Sequence, residues 1–97
     1  MRFEWDERKN QANIRKHGLD FADVEEIFRG GLLADPDTRE DYGEKRWSGL
    51  GTISGRIVKV VFVEREQGIL RIISLRKATR REQKEYAKAI QDRLETC

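Results

Sequence analysis

The apolar positions of this chain change period once, between its first third and its middle. Phe21, Val24, Ile27 and Phe28 recur at three- and four-residue spacing and make one stripe of a helix. Past residue 46 the period is two. In "RIVKVVFVER" Ile57, Val61 and Val63 take one face of a strand, and Val58, Val60 and Phe62 take the other. "ILRIISLR" repeats the pattern, with Leu70 and Ile72 opposite Ile69, Ile73 and Leu75. The same period carries Ser74 and Arg76 onto the face of Leu70 and Ile72, and Arg71 onto the other. Strands with apolar residues on both faces belong in the middle of a sheet, covered by helices on at least one side. "RWSGLGTI" precedes them, and "SG" and "EQG" are hairpin turns between the three.

The flanking segments complete the order. "RFEW" predicts a short edge strand with Phe3 and Trp5 on one face. Asp6 then caps a helix over residues 7–16, ended by Gly18 after His17; it is polar, with only Ala12 and Ile14 to bury. Asp20 caps the striped helix, Leu19 and Val24 have the spacing of a hydrophobic staple, and Gly30 and Gly31 stop it. "LLAD" predicts a short strand and "PDTREDYGEK" a loop. "TRRE", residues 79–82, is a capping box: Thr79 caps a last helix and Glu82 reaches back. That helix runs to about residue 94, with Tyr86, Ala87, Ile90 and Leu94 as its buried stripe. The fold class is α+β, order β-α-α-β-β-β-β-α, with helices packed on a small antiparallel sheet.

Composition narrows the setting. Ninety-seven residues predict one domain over 1–97, and 37% hydrophobic against 39% charged residues predicts a small core under a densely charged surface. The single cysteine, Cys97, staples nothing; with no Cys/His cluster, a reducing cytoplasm is expected and a structural zinc is not. "MRFEWDERKN" has no apolar signal region, and no apolar run reaches the ~20 residues of a membrane span, so a soluble protein off the membrane is expected. With one histidine and that one cysteine, no Ser/His/Asp, Cys/His or metal-ligand constellation can be assembled, and no metal or other cofactor is expected. "GLGTISG" lies within a strand and hairpin and is no nucleotide loop. Trp5 and Trp47 are read as core or sheet-cover residues.

Net charge is only +2, but its distribution is uneven. Residues 35–44 hold five acids (Asp35, Asp37, Glu40, Asp41, Glu44) against Arg39. From Arg71 to Lys84, within "RIISLRKATRREQKEY", six cations (Arg71, Arg76, Lys77, Arg80, Arg81, Lys84) face Glu82. Cations at a helix start oppose its dipole, at roughly 0.3–1 kcal/mol each when exposed, and repel one another. An anion at that point would meet free backbone N–H groups and guanidinium forks together, and phosphate is the natural candidate. Against this stands a plain solvated face, or arginines paired with the acidic loop at 35–44. His17 has two readings as well: a helix-end imidazole stabilised by the dipole, or a proton carrier suited to neutral pH.

Three segments together resemble the BrnT family of bacterial type II toxins: "FEWDERKNQANIRKHGLDFADVEEIF" (3–28), "RWSGLG" (46–51) and "RIISLRKATRREQKEY" (71–86). The sequence departs from the family at Leu75, where a smaller residue is usual, and at Glu64, where an acid is unexpected and would weaken RNA binding if it lay near the cationic end of the sheet. The resemblance implies a RelE-like fold and a ribonuclease that arrests translation. It further implies a BrnA-type antitoxin with a ribbon-helix-helix domain, operator DNA bound only through the toxin–antitoxin complex, and a heterotetramer. Metal-independent RNA cleavage requires help in deprotonating the 2′-OH, stabilisation of charge on phosphorus, and a proton for the leaving oxygen. On the resemblance, Arg76 and Arg80 stabilise the phosphate, Lys77 supports them, and His17 and Tyr86 are the proton-transfer candidates. Arg46, Lys16, Arg65, Arg81 and Lys84 are candidate RNA contacts. The competing reading is a non-catalytic basic module that acts only as antitoxin partner and transcriptional co-repressor.

Overall fold

The computed structural model describes residues 1–39, 41 and 43–96, the last two by their backbone; Glu40 and Cys97, both weighed above, lie outside the described residues. The elements follow the predicted order: β1 (Arg2–Glu4), α1 (Glu7–His17), a 3-10 turn (Phe21–Asp23) leading into α2 (Val24–Arg29), β2 (Leu33–Asp37), β3 (Arg46–Ile53), β4 (Arg56–Glu64), β5 (Ile69–Lys77) and α3 (Arg80–Thr96). The sheet order is β1-β5-β4-β3-β2. From β2 to β5 every neighbouring pair is antiparallel, while β1 joins β5 in parallel. The two tight hairpins force consecutive strands to reverse, and β1 reaches β5 with no hairpin between them. In the first hairpin Ser54 and Gly55 have φ of 51° and 77°, the left-handed pair that a type I′ turn requires.

The expected loop beginning at Pro36 is corrected at its start. β2 continues through Pro36 to Asp37, with Leu33 opposite Leu50, Asp35 opposite Ser48 and Asp37 opposite Arg46. Proline fits there because β2 is an edge strand and no further strand needs its missing N–H.

One face of the sheet carries the core. Val58, Val60 and Phe62 lie with Leu70, Ile72 and Leu75 under Phe21, Val24 and Ile27. Phe28 meets the ring of Phe62 edge-on at 5.2 Å. Gly51 has no side chain because the Ile27 side chain occupies the space a Cβ would need. Trp5 and Trp47 are half-buried against this cluster, as read from the sequence.

Three expectations about burial are overturned. The first concerns β5. Val61 pairs with Ser74 but Phe62 pairs with Ile72, so Ile73 is an extra residue with no partner across β4. This β-bulge reverses the alternation beyond it. Leu75, paired with the core residue Val60, joins Leu70 and Ile72, while Arg76, paired with Lys59, shares the opposite face with Arg71. The second concerns α1. Ala12 is exposed and Ile14 only half-buried, and the helix is held instead by two buried asparagines. Asn10 accepts from the Phe21 N–H at 2.9 Å and donates to Asp20 at 3.0 Å. Asn13 donates to the Leu19 carbonyl at 3.0 Å and accepts from the Leu75 N–H at 3.2 Å. β1 pairs with β5 only as far as Arg71, so Asn13 supplies an acceptor that no strand offers at Leu75.

The stripe of α3 is likewise shorter than predicted. Tyr86 is buried, but Ala87 is exposed, Ile90 half-buried and Leu94 73% exposed. A helix of 17 residues is about 25 Å long at 1.5 Å per residue, and the sheet supports only its first turns.

Candidate functional site

The face of the sheet opposite the core is where the cations gather. Lys59 of β4 and Arg76 of β5 are register partners, so their side chains stand side by side. Both reach Glu82. Arg76 donates to its two carboxylate oxygens at 2.8 and 3.0 Å, and the Lys59 ammonium lies 3.3 Å away. Glu82 is fixed from its own helix too, because the predicted capping box forms: Thr79 N–H donates to Glu82 at 2.8 Å and Glu82 N–H donates to Thr79 Oγ1 at 3.2 Å. Arg76 also donates to the Lys77 carbonyl at 3.0 Å. The Arg76 hydrogen bonds hold the Glu82 carboxyl well below its usual range, at about 2, against the opposing effect of burial. One carboxylate thus orders two half-buried cations and leaves their positive charge in excess. A phosphate entering here meets a guanidinium and an ammonium already oriented.

The predicted site residues do not all converge on this point. Around α3, Glu82, Glu85 and Ala89 line an open groove that also includes Lys59, whereas Arg80, Gln83, Lys84 and Ala87 line a second groove with Ile57. Lys77 lies on that second flank with Arg56, Ile57 and Gln83. Arg76 and Arg80, assigned together from the sequence, therefore stand on different flanks of the same helix. Arg56, Lys77, Arg80 and Lys84 make no ion pair among the described residues, so the second flank is uncompensated positive charge. Arg81 points outward, 91% exposed, 3.5 Å from Glu85.

His17 ends α1 just before Gly18, whose φ of 69° closes the helix. It lies one turn beyond Asn13, half-buried, and makes no side-chain hydrogen bond among the described residues. Tyr86 is buried, with its hydroxyl 3.4 Å from the Gly31 carbonyl, the position of a packing residue. Arg46 and Arg65 stand 3.7 and 3.9 Å from Glu44, so part of the acidic stretch does pair with arginines. Lys16 is exposed on α1. Glu64 is paired with Leu70, at the other end of β4, five residues and roughly 16 Å of strand from Lys59. It does not touch the Arg76 cluster.

Sequence reasoning missed Lys59 altogether and saw Glu82 only as a cap. The signal for Lys59 was available: it is the one charge inside the apolar run between Arg56 and Glu64. Among the described residues no group of three or more His, Cys, Asp or Glu could hold a metal ion, and no helix is long and apolar enough to cross a membrane.

The family model for BrnT, the ribonuclease toxin of type II toxin–antitoxin systems, matches residues 5–82. The chain belongs to the BrnT family. The crystal structure of the Brucella abortus ribonuclease toxin BrnT is similar, with 36% sequence identity and a TM-score of 0.62 over 82% of this chain and 99% of that one. No curated protein matches. The BrnT match takes in the bulged strand, the Arg76–Lys59 pair and the capping box as far as Glu82, and the remainder of α3 lies outside it. The resemblance read from residues 3–28, 46–51 and 71–86 is borne out, as is the α+β class.

Proposed function

We propose that the chain is a metal-independent endoribonuclease that arrests translation by cutting RNA in the bacterial cytoplasm. The carrying observation is the register pair Lys59 and Arg76, oriented by Glu82 on the open face of the sheet. When the 2′-oxygen attacks phosphorus, negative charge builds on the non-bridging oxygens, and two preset cations stabilise that charge without having to reorganise. Arg80 and Lys77, with Arg81 and Lys84, extend positive charge along the other side of α3 and suit neighbouring phosphates of the same strand. Arg46, Arg65 and Lys16 are outer RNA contacts. His17 is the proton-transfer candidate; Tyr86, buried and bonded to Gly31, fits the role less well.

The partner in this reading is a BrnA-type antitoxin with a ribbon-helix-helix domain, joined in a heterotetramer that binds operator DNA. The test is incubation of the purified chain with a defined RNA, free or on ribosomes, with excess EDTA. Cleavage that persists in EDTA and stops when antitoxin is added is the expected result. Salt-sensitive RNA binding with no cleavage in either setting would replace this reading with the non-catalytic basic module.

A further inference from the structure

The groove between β2 and α3 is built unlike a phosphate site. It is open, of about 460 Å³, within the size range of small-ligand sites. Leu33, Pro36, Leu50 and Ala89 give it an apolar lining, and Asp35, Asp37, Glu82 and Glu85 ring it with carboxylates. Three of the four are engaged. Arg39 holds Asp37 through two bonds of 2.9 Å, Arg76 and Lys59 hold Glu82, and Arg81 stands 3.5 Å from Glu85. Asp35 has no hydrogen bond or ion pair among the described residues, and neither has the hydroxyl of its register partner Ser48. The groove therefore presents one open carboxylate beside one open hydroxyl, over an apolar floor, with Lys59 at its margin.

From this we infer that the groove is a base-reading site selective for guanine in single-stranded RNA, with Asp35 as the specificity-determining residue. The inference rests on the ribonuclease reading above for its substrate. A phosphate is repelled by the carboxylates and belongs at Lys59 and Arg76; a flat, uncharged base is not repelled. β2 and β4 are roughly 10 Å apart at the usual strand spacing, a span comparable to that between a nucleotide's phosphate and the far edge of its base. Unpaired RNA offers its Watson–Crick edge to such a groove. Both oxygens of one carboxylate accept, so they are matched by two adjacent donors. Guanine alone has them, in N1–H and N2–H. Adenine and cytosine set an acceptor beside their amino group, and uracil flanks its single N–H with two carbonyls. Ser48 is placed to donate to the guanine O6.

Two substrates differing by one amino group test this: an RNA with a single guanine in an unpaired stretch, and the same RNA with inosine there, which lacks the N2 amino group. Wild type is expected to cut the guanine RNA about tenfold faster in kcat/KM, as for the loss of one good base contact. Asp35→Ala, on an exposed stretch of the edge strand, should cut both alike, and Asp35→Asn should also lose the preference. Equal cutting by wild type, or a preference that survives in Asp35→Ala, overturns the inference and leaves the ribonuclease reading standing. If wild type cuts no RNA, the ribonuclease reading falls, and amide chemical shifts decide the groove alone. Shifts at Ser48 and Leu50 with millimolar guanosine 5′-monophosphate, about tenfold weaker with inosine 5′-monophosphate and lost in Asp35→Ala, uphold it; equal or absent shifts overturn it.

Discussion

On one face of the sheet Val58, Val60 and Phe62 meet Phe21 and Ile27 almost without water. One residue along the same strands, on the other face, Lys59, Arg71 and Arg76 meet Glu82 and Glu4, with Arg71 and Glu4 2.7 Å apart. The first face is held by burial, which is non-directional and scales with apolar area. The second buries Val61 and Val63, but its charges are held by ion pairs at half-exposed positions, which contribute little to stability but fix geometry. The main core and the ordered charges thus lie on opposite sides of one sheet, and substitutions should separate them.

The largest expected effect is on the apolar face. Phe21→Ala empties a fully buried site and should lower the unfolding free energy by about 3–5 kcal/mol in urea titrations, with RNA cleavage per folded molecule unchanged. A parallel loss of specific activity would show that the faces are coupled. Asn13→Ala comes next. It leaves the Leu75 N–H and the Leu19 carbonyl without partners and should cost about 1–3 kcal/mol, again without an effect on cleavage. Lys59→Ala should do the reverse, lowering cleavage about tenfold while changing stability by under ~1 kcal/mol.

The smallest effect is the most specific to the polar face. Glu82 ionises at about 2 in the folded chain against an ordinary 4.5, so its ionised form stabilises the fold fully above pH 4.5. That contribution is lost as pH falls from about 4.5 toward 2. Asp37, also held at about 2 by Arg39, acts within that window, from its ordinary 3.8 down to about 2. Urea midpoints of wild type should therefore fall more steeply with acid than those of Glu82→Gln, and parallel curves would rule out the ion-pair account of Glu82.

Much of this architecture was legible in the sequence. Periods of 3.6 and 2, the Asp6 and Thr79 caps and the "SG" turn placed the elements in order, because each is a local signal. The bulge at Ile73 was not legible, since nothing in "ILRIISLR" marks which residue will lack a partner. It decided which face Leu75 and Arg76 take. Nor were Asn10 and Asn13 legible as anchors, because their buried amides find partners as far as 11 and 62 residues away. The split of α3 into an acidic and a basic flank was legible in principle. At 100° per residue, Arg80 and Lys84 share a side that Glu82 and Glu85 leave.

The account turns on Arg76. Wild type and Arg76→Ala, matched for folding by circular dichroism and thermal melting, should be compared for cleavage of one defined RNA in EDTA. A fall of about 10²–10³ in rate with the fold retained is the predicted result, the usual consequence of losing one transition-state donor. A folded Arg76→Ala that cuts at the wild-type rate would contradict it and move the chemistry to the other flank of α3, with Lys77 and Arg80.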